Sequence, residues 1–142
     1  LEDEFVSIQE RYKRGVFALD TALFLHDLTD RTPHKFHMAF PYGYNTSSPK
    51  AAGILCSCKK EPYYSLGIAL VDTPAGNTVR AYNAEKTLCE ILKPISHTDI
   101  QIITDAFKRY AGRKDKNIPL LSEYAHQLRV EKRLRPYLEV LL

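Results

Sequence analysis

Residues 14–40 read RGVFALDTALFLHDLTDRTPHKFHMAF, and the rest of the chain is organised around them. A short apolar helix is predicted over Leu19–Leu28. Ala22, Leu25 and Leu28 share one face, with Leu23 and Phe24 beside it. Asp20 stands where it would cap the first turn. Thr29 to Pro33 is expected to stop this helix, because Pro33 cannot donate and biases the residue before it away from helix. Lys35 to Phe40 then alternates, with Phe36, Met38 and Phe40 on one face. That is the period of a half-buried strand.

Upstream, residues 4–12 (EFVSIQERY) fit either period, and we read them as a strand leading into a turn at Lys13-Arg14-Gly15. The chain begins at Leu1 without Met and its first residues already look structured, so it reads as the later part of a longer protein.

Downstream, Pro41 to Gly53 is rich in turn formers and reads as a loop. Strands follow at Ile54–Lys60, at Tyr63–Thr73 (Leu66, Ile68 and Leu70 on one face) and at Thr78–Tyr82, the last two joined by a turn at 74–77. From Asn83 the pattern becomes helical. Asn83 caps a helix bearing Leu88, Ile91 and Leu92, stopped by Pro94. Thr98 with Gln101 opens a second helix that buries Ile100, Ile103, Phe107 and Tyr110, with Asp105 and Arg109 paired outside and Gly112 at its end. Leu120, Leu121, Tyr124 and Leu128 mark a third helix. Val130, Leu134, Leu138 and Leu141 mark a fourth, open to a break at Pro136. Strands segregated from helices give an α+β class. The expected arrangement is a small, mostly antiparallel sheet with one early helix, then a bundle of about four helices. It forms one domain over 1–142, with a mixed part at 1–82 and a helical part at 83–142.

The 142 residues, 44% hydrophobic and 26% charged, suit a single globular domain. No apolar run approaches the roughly 18 residues that span a bilayer. Three cysteines argue against a disulfide framework and for a reducing, cytoplasmic setting. Cys56 and Cys58, on one face of a strand, make a poor metal site without further ligands nearby. The net charge of +3 is unevenly spread: residues 107–142 hold nine Lys/Arg against four acids. That end attracts polyanions.

No phosphate-binding glycine loop and no nucleophile elbow is present. The five histidines (His26, His34, His37, His97, His126) do not form a ligand pattern. Cys58-Lys59-Lys60-Glu61 and Asp72 offer raw material for a nuclease-like site, without a motif. Tyr110 and Tyr137 fall on apolar helical faces and read as packing. Tyr42 and Tyr44 lie in the loop, where they are freer to meet a partner.

Several blocks together resemble the AbiEi family, the antitoxins of abortive-infection (type IV) toxin–antitoxin systems. They are Gly15-Val16-Phe17, Thr21-Ala22-Leu23, Leu25-His26-Asp27-Leu28, Asp30-Arg31-Thr32-Pro33 and the loop Pro41-Tyr42-Gly43-Tyr44-Asn45. Tyr82 to Glu90, Asp99-Ile100-Gln101, Asp105 to Tyr110 and Arg129-Val130-Glu131-Lys132 continue the series, so that the resemblance covers nearly the whole chain. Ala18 departs from the pattern where a hydroxyl cap is expected, and Cys89 and Glu90 where an Asp-like residue is common. The resemblance implies a C-terminal antitoxin domain that normally follows a winged-helix DNA-binding domain. It implies counteraction of a nucleotidyltransferase-like toxin without a stable complex, and repression of the operon. Operator DNA, and a homodimer on it, would be the partners, with no membrane, metal or cofactor. The alternative is a nuclease-like or nucleotide-handling enzyme that reverses the toxin's modification. Expected phosphate contacts are Lys108, Arg109, Arg113, Lys114, Arg129, Lys132 and Arg133, and the expected partner loop is Tyr42, Tyr44 and Asn45.

Overall fold

A computed structural model describes residues 2–141. Its elements are α1 (Glu4–Arg11), β1 (Val16–Phe17), α2 (Leu19–Leu25), β2 (His37–Pro41), α3 (Ser47–Ala51), β3 (Leu55–Lys59), β4 (Ile68–Asp72), β5 (Thr78–Tyr82), α4 (Ala84–Ile91), α5 (Ile100–Ala111), α6 (Ile118–Gln127) and α7 (Glu131–Leu141), with a single 3₁₀ turn at Pro94–Ser96. The class is α+β. The sheet runs β3-β2-β1-β5-β4 and is mixed, not mostly antiparallel: β1–β2 and β4–β5 are antiparallel, β1–β5 and β2–β3 parallel. Three helices, not one, precede residue 83.

Residues 4–12 are a helix, not a strand. Asp3 decides it: its carboxylate accepts from the amides of Phe5 (3.1 Å) and Val6 (3.4 Å), satisfying the orphan donors of the first turn. Asp3 also accepts from Thr73 and Asn77, tying α1 to the β4–β5 hairpin. Phe5 then stacks on Phe36 and meets Phe17 edge-on, at ring-centroid distances of 4.6 and 5.4 Å.

α2 starts without a side-chain cap, from Ala18, and Asp20 merely sits in its first turn. It stops at Leu25, well before Pro33. Asp27 adopts a left-handed φ of +57°, and Leu28 N–H closes onto the Leu23 carbonyl at 2.9 Å. This is a Schellman cap with Asp in place of the usual glycine.

β2 is buried on both faces at Met38, Ala39 and Phe40, because Phe5 and Tyr12 cover one face of the sheet and Tyr64 the other. The loop after it contains α3. β4 is shorter than expected, and its inward residue is Val71; Leu70 is 76% exposed. Asn83 caps α4 as the sequence indicates, accepting from Lys86 N–H at 2.8 Å. α5 is capped by Asp99, not Thr98, and Ile100 points outward at 62% exposure. α7 continues through Pro136.

Every residue of α4 is buried. It is the axis of the molecule. Leu88, Cys89, Ile91 and Leu92 pack with α5 (Phe107, Tyr110), α6 (Leu121, Tyr124) and α7 (Leu134), and Leu23 and Leu28 join from the first half. One sheet face packs Phe17, Met38, Phe40, Val79 and Ala81 against α1; the other packs Val16, Ala39 and Tyr82 against Tyr64. Among the described residues, no helix is long and apolar enough to cross a membrane.

Candidate functional site

The basic residues fall into two groups. Lys108, Lys114, Arg129, Lys132 and Arg133 are exposed, and none has an ion-pair partner among the described residues. Arg109 is engaged by Asp105 at 2.9 Å, one turn earlier on α5. Arg113 grips both oxygens of Asp115 (2.9 and 2.8 Å) and donates to the His26 carbonyl (2.8 Å). The guanidinium holds the Asp115 carboxyl down at about 2. Arg113 thus braces the α5–α6 connection against the end of α2. Arg129 follows α6 at a left-handed φ of +60°, in a second Schellman cap closed by Val130 N–H on the Ala125 carbonyl at 2.9 Å.

The partner loop divides likewise. Tyr42 is 69% exposed, with Lys60 Nζ 5.0 Å from its ring centroid. Tyr44 instead stacks on Phe40 at 4.6 Å, so packing holds it. Asn45 accepts from Ser47 N–H at 3.0 Å at the start of α3. Only Tyr42 of the three presents an open ring. Tyr137 stacks on Phe107 at 4.5 Å and Tyr110 is buried, in line with the packing role read for both.

A third cluster, absent from the sequence expectations, is assembled inside the fold. Lys86 is completely buried. Its ammonium donates to the Tyr63 carbonyl (2.8 Å) and the Leu66 carbonyl (2.9 Å), pairs with Glu90 (3.3 Å) and lies 3.8 Å from the Tyr82 ring centroid. These contacts use its three donors. Lys59, reaching from β3, meets Glu90 at 3.1 Å. Burial pushes the Glu90 carboxyl up, but the two lysines outweigh it and hold the group below its ordinary value. Burial pushes Lys86 down to about 8, against the opposing pull of Glu90. His37, on the sheet face shared with Lys59, is driven down to about 4 by burial and by that lysine, and its ring sits 3.3 Å from Ser57 Oγ. On the far side of α4, Tyr110 donates to Glu85 and accepts from Asn117 N–H at 2.6 Å, linking α4, α5 and α6. Its hydroxyl pKa is raised by burial and by the Glu85 bond.

The nuclease-like raw material is not brought together. Lys59 lies on β3 and Asp72 on β4, the two opposite edge strands, while Glu61 is occupied by Ser65. Among the described residues, no three His, Cys, Asp or Glu side chains converge in a metal-binding arrangement. The signal for the Lys86–Glu90 pair was there to read: a Lys and a Glu four apart on one helix. No family model matches the chain, and no curated protein matches it.

Proposed function

We propose that this chain is an antitoxin-type regulatory module that counteracts a nucleotidyltransferase-like toxin without a stable complex and supports operator binding for autoregulation. The observation that carries this reading is the division of charge. The interior charges Lys59, Lys86, Glu85 and Glu90 are partnered within the fold, whereas Lys108, Lys114, Arg129, Lys132 and Arg133 are exposed and unpaired among the described residues. Exposed cations of this kind bind phosphates and release counterions without reading sequence. The AbiEi resemblance supplies the antitoxin part of the proposal.

Two measurements test it. Changing Lys108, Lys114, Lys132 and Arg133 to Ala should weaken binding to a duplex carrying the upstream region of the gene. The salt slope should fall by about 0.9 for each phosphate left without its cation. An unchanged affinity and slope would reduce these residues to solvated surface. Co-expression with a nucleotidyltransferase encoded beside the gene should restore growth, and continued arrest would overturn the antitoxin reading.

A further inference from the structure

We propose that the outer edge of β4 is a docking site for an extended peptide segment that alternates basic and apolar residues. This proposal does not depend on the antitoxin reading.

The backbone carries the first part. Asn83 N–H donates to the Gly67 carbonyl and Thr73 N–H to the Asn77 carbonyl, both at 2.7 Å, at the two ends of the β4–β5 ladder. Alternation between these bonds turns Ala69 and Val71 towards β5, opposite Ala81 and Val79. Leu70 and Asp72 therefore aim their N–H and C=O groups outward. β4 is an edge strand, and outside the ladder no hydrogen bond among the described residues reaches either residue. Edges are ordinarily blunted by Lys, Pro, a bulge or a covering helix. β4 reads Ile-Ala-Leu-Val-Asp: only Asp72, at its end, is charged, and no Lys, Pro or bulge interrupts it.

The surroundings carry the second part. A groove of about 850 Å³ runs along this edge, walled opposite by the end of α2 and the end of α5. Its arginines are occupied, Arg109 by Asp105 and Arg113 by Asp115. Asp27 and Asp72 are exposed and have no partner among the described residues, so the free charge of the groove is negative. A strand added to β4 would set alternate side chains on opposite faces. Cations would lie on the face of Leu70 and Asp72. Apolar side chains would lie on the face of Ala69 and Val71, beside Phe24 and Leu25. A second copy of this chain fits less well: two β4 strands paired antiparallel about Leu70 would bury Asp72 opposite Ile68, with no cation. Nucleic acid would meet the two free acids.

The probe is a fluorescein-labelled peptide of alternating Lys and Val, followed by anisotropy and by amide hydrogen exchange of the intact chain. The peptide should bind saturably. The amides of Leu70 and Asp72 should exchange fast in the free chain and slow when it is added. A Glu-Val peptide, and a Lys-Val peptide N-methylated on its pairing edge, should not bind. The double variant Asp27→Gly/Asp72→Lys should weaken binding about tenfold. It should fold, since glycine suits the φ of +57° at position 27 and Asp72 is exposed. Equal binding of the N-methylated peptide, or full affinity of the double variant, would overturn the proposal. Leu70 protected in a free chain that sediments as a dimer would overturn it in favour of self-pairing. Protection of the same amides by duplex DNA would overturn it in favour of nucleic acid.

Discussion

Lys86 and Glu90, one turn apart on α4, form a 3.3 Å ion pair in which the lysine has no exposed surface. A buried pair of this kind gives little net stability over an apolar replacement of both groups, but breaking it is costly because the survivor keeps an uncompensated charge. Here the cation also closes the turn after β3, through the carbonyls of Tyr63 and Leu66. Lys86→Met leaves Glu90 with Lys59 alone and the Tyr63 and Leu66 carbonyls without their donor, and should cost about 2 kcal/mol in urea unfolding. The variant retains Lys59 opposite Glu90, so it should still fold. A loss within 0.5 kcal/mol, roughly the scale of a neutral surface change, would mean that the cluster contributes nothing to the fold.

Gly67 explains why the lysine reaches those carbonyls. Its φ is +82°, and a Cβ built on it would lie 2.7 Å from Lys86 Cβ. The left-handed backbone and the close approach both require glycine. Gly67→Ala should destabilise by about 2–4 kcal/mol, through strain and displacement of Lys86 together. The check is thermal unfolding of Gly67→Ala alone and combined with Lys86→Ala. Alanine at 86 keeps the Cβ that the new methyl meets and removes only the 3.1 Å Cγ contact, so most of the Gly67→Ala loss should persist in the Lys86→Ala background.

His37 sets a pH window. Its pKa falls from 6.5 to about 4 on folding, through burial first and the Lys59 charge second. For a base with a lowered folded value, the unfolded chain binds the proton first. Stability is then intact above pH 6.5 and declines as pH falls from 6.5 towards 4. The loss should reach roughly 2–3 kcal/mol by about pH 4. His37→Gln keeps a polar group near Ser57 and cannot titrate, so its stability should fall less steeply across this window. Parallel slopes for the two proteins, by denaturant titration at several pH values, would contradict this.

What the sequence disclosed and what it hid divide along one physical line. Asn83, Gly112 and the spacing of Ile103, Phe107 and Tyr110 are local signals, and the helical half follows them. The sequence reading missed β1 because two residues, Val16 and Phe17, carry no period. It missed the parallel pairings because register depends on partners far along the chain. Asp3 decides α1 by a cap that a period count does not see, and Asp27 and Arg129 end helices in a conformation more usual for glycine. The candidate site is subject to the same limit. Lys59 and Glu90 meet across 31 positions, and the β4 edge is open only because of where β4 falls in the sheet order. The exposed cations of the C-terminal helices were legible because charge needs no partner to be seen.

Gln9 substitutes for a missing strand. β1 is too short to pair the whole of β5, and Gln9 Oε1 accepts from Arg80 N–H at 2.7 Å while Nε2 donates to the Gly15 carbonyl at 2.9 Å. Gln9→Ala should cost about 1–2 kcal/mol, because both backbone groups lose a partner. Faster exchange of the Arg80 amide in this variant, with the Val71 amide unchanged, would locate the loss at this edge of β5.

Arg129 separates a role in binding from a role in folding. It is exposed, stands with a φ of +60° at the end of α6, and makes no ion pair among the described residues. An L-residue with a side chain is strained there, and glycine is not. Arg129→Gly should therefore raise stability by up to about 1 kcal/mol while deleting one cation. If Arg129 contacts phosphate, the same variant should bind duplex DNA more weakly, with a salt slope shallower by about 0.9. Higher stability with unchanged DNA affinity would leave Arg129 a helix terminator alone and remove it from the nucleic-acid surface. Lower stability would show that its side chain holds the α6–α7 turn, and that the Schellman geometry does not set its conformational cost.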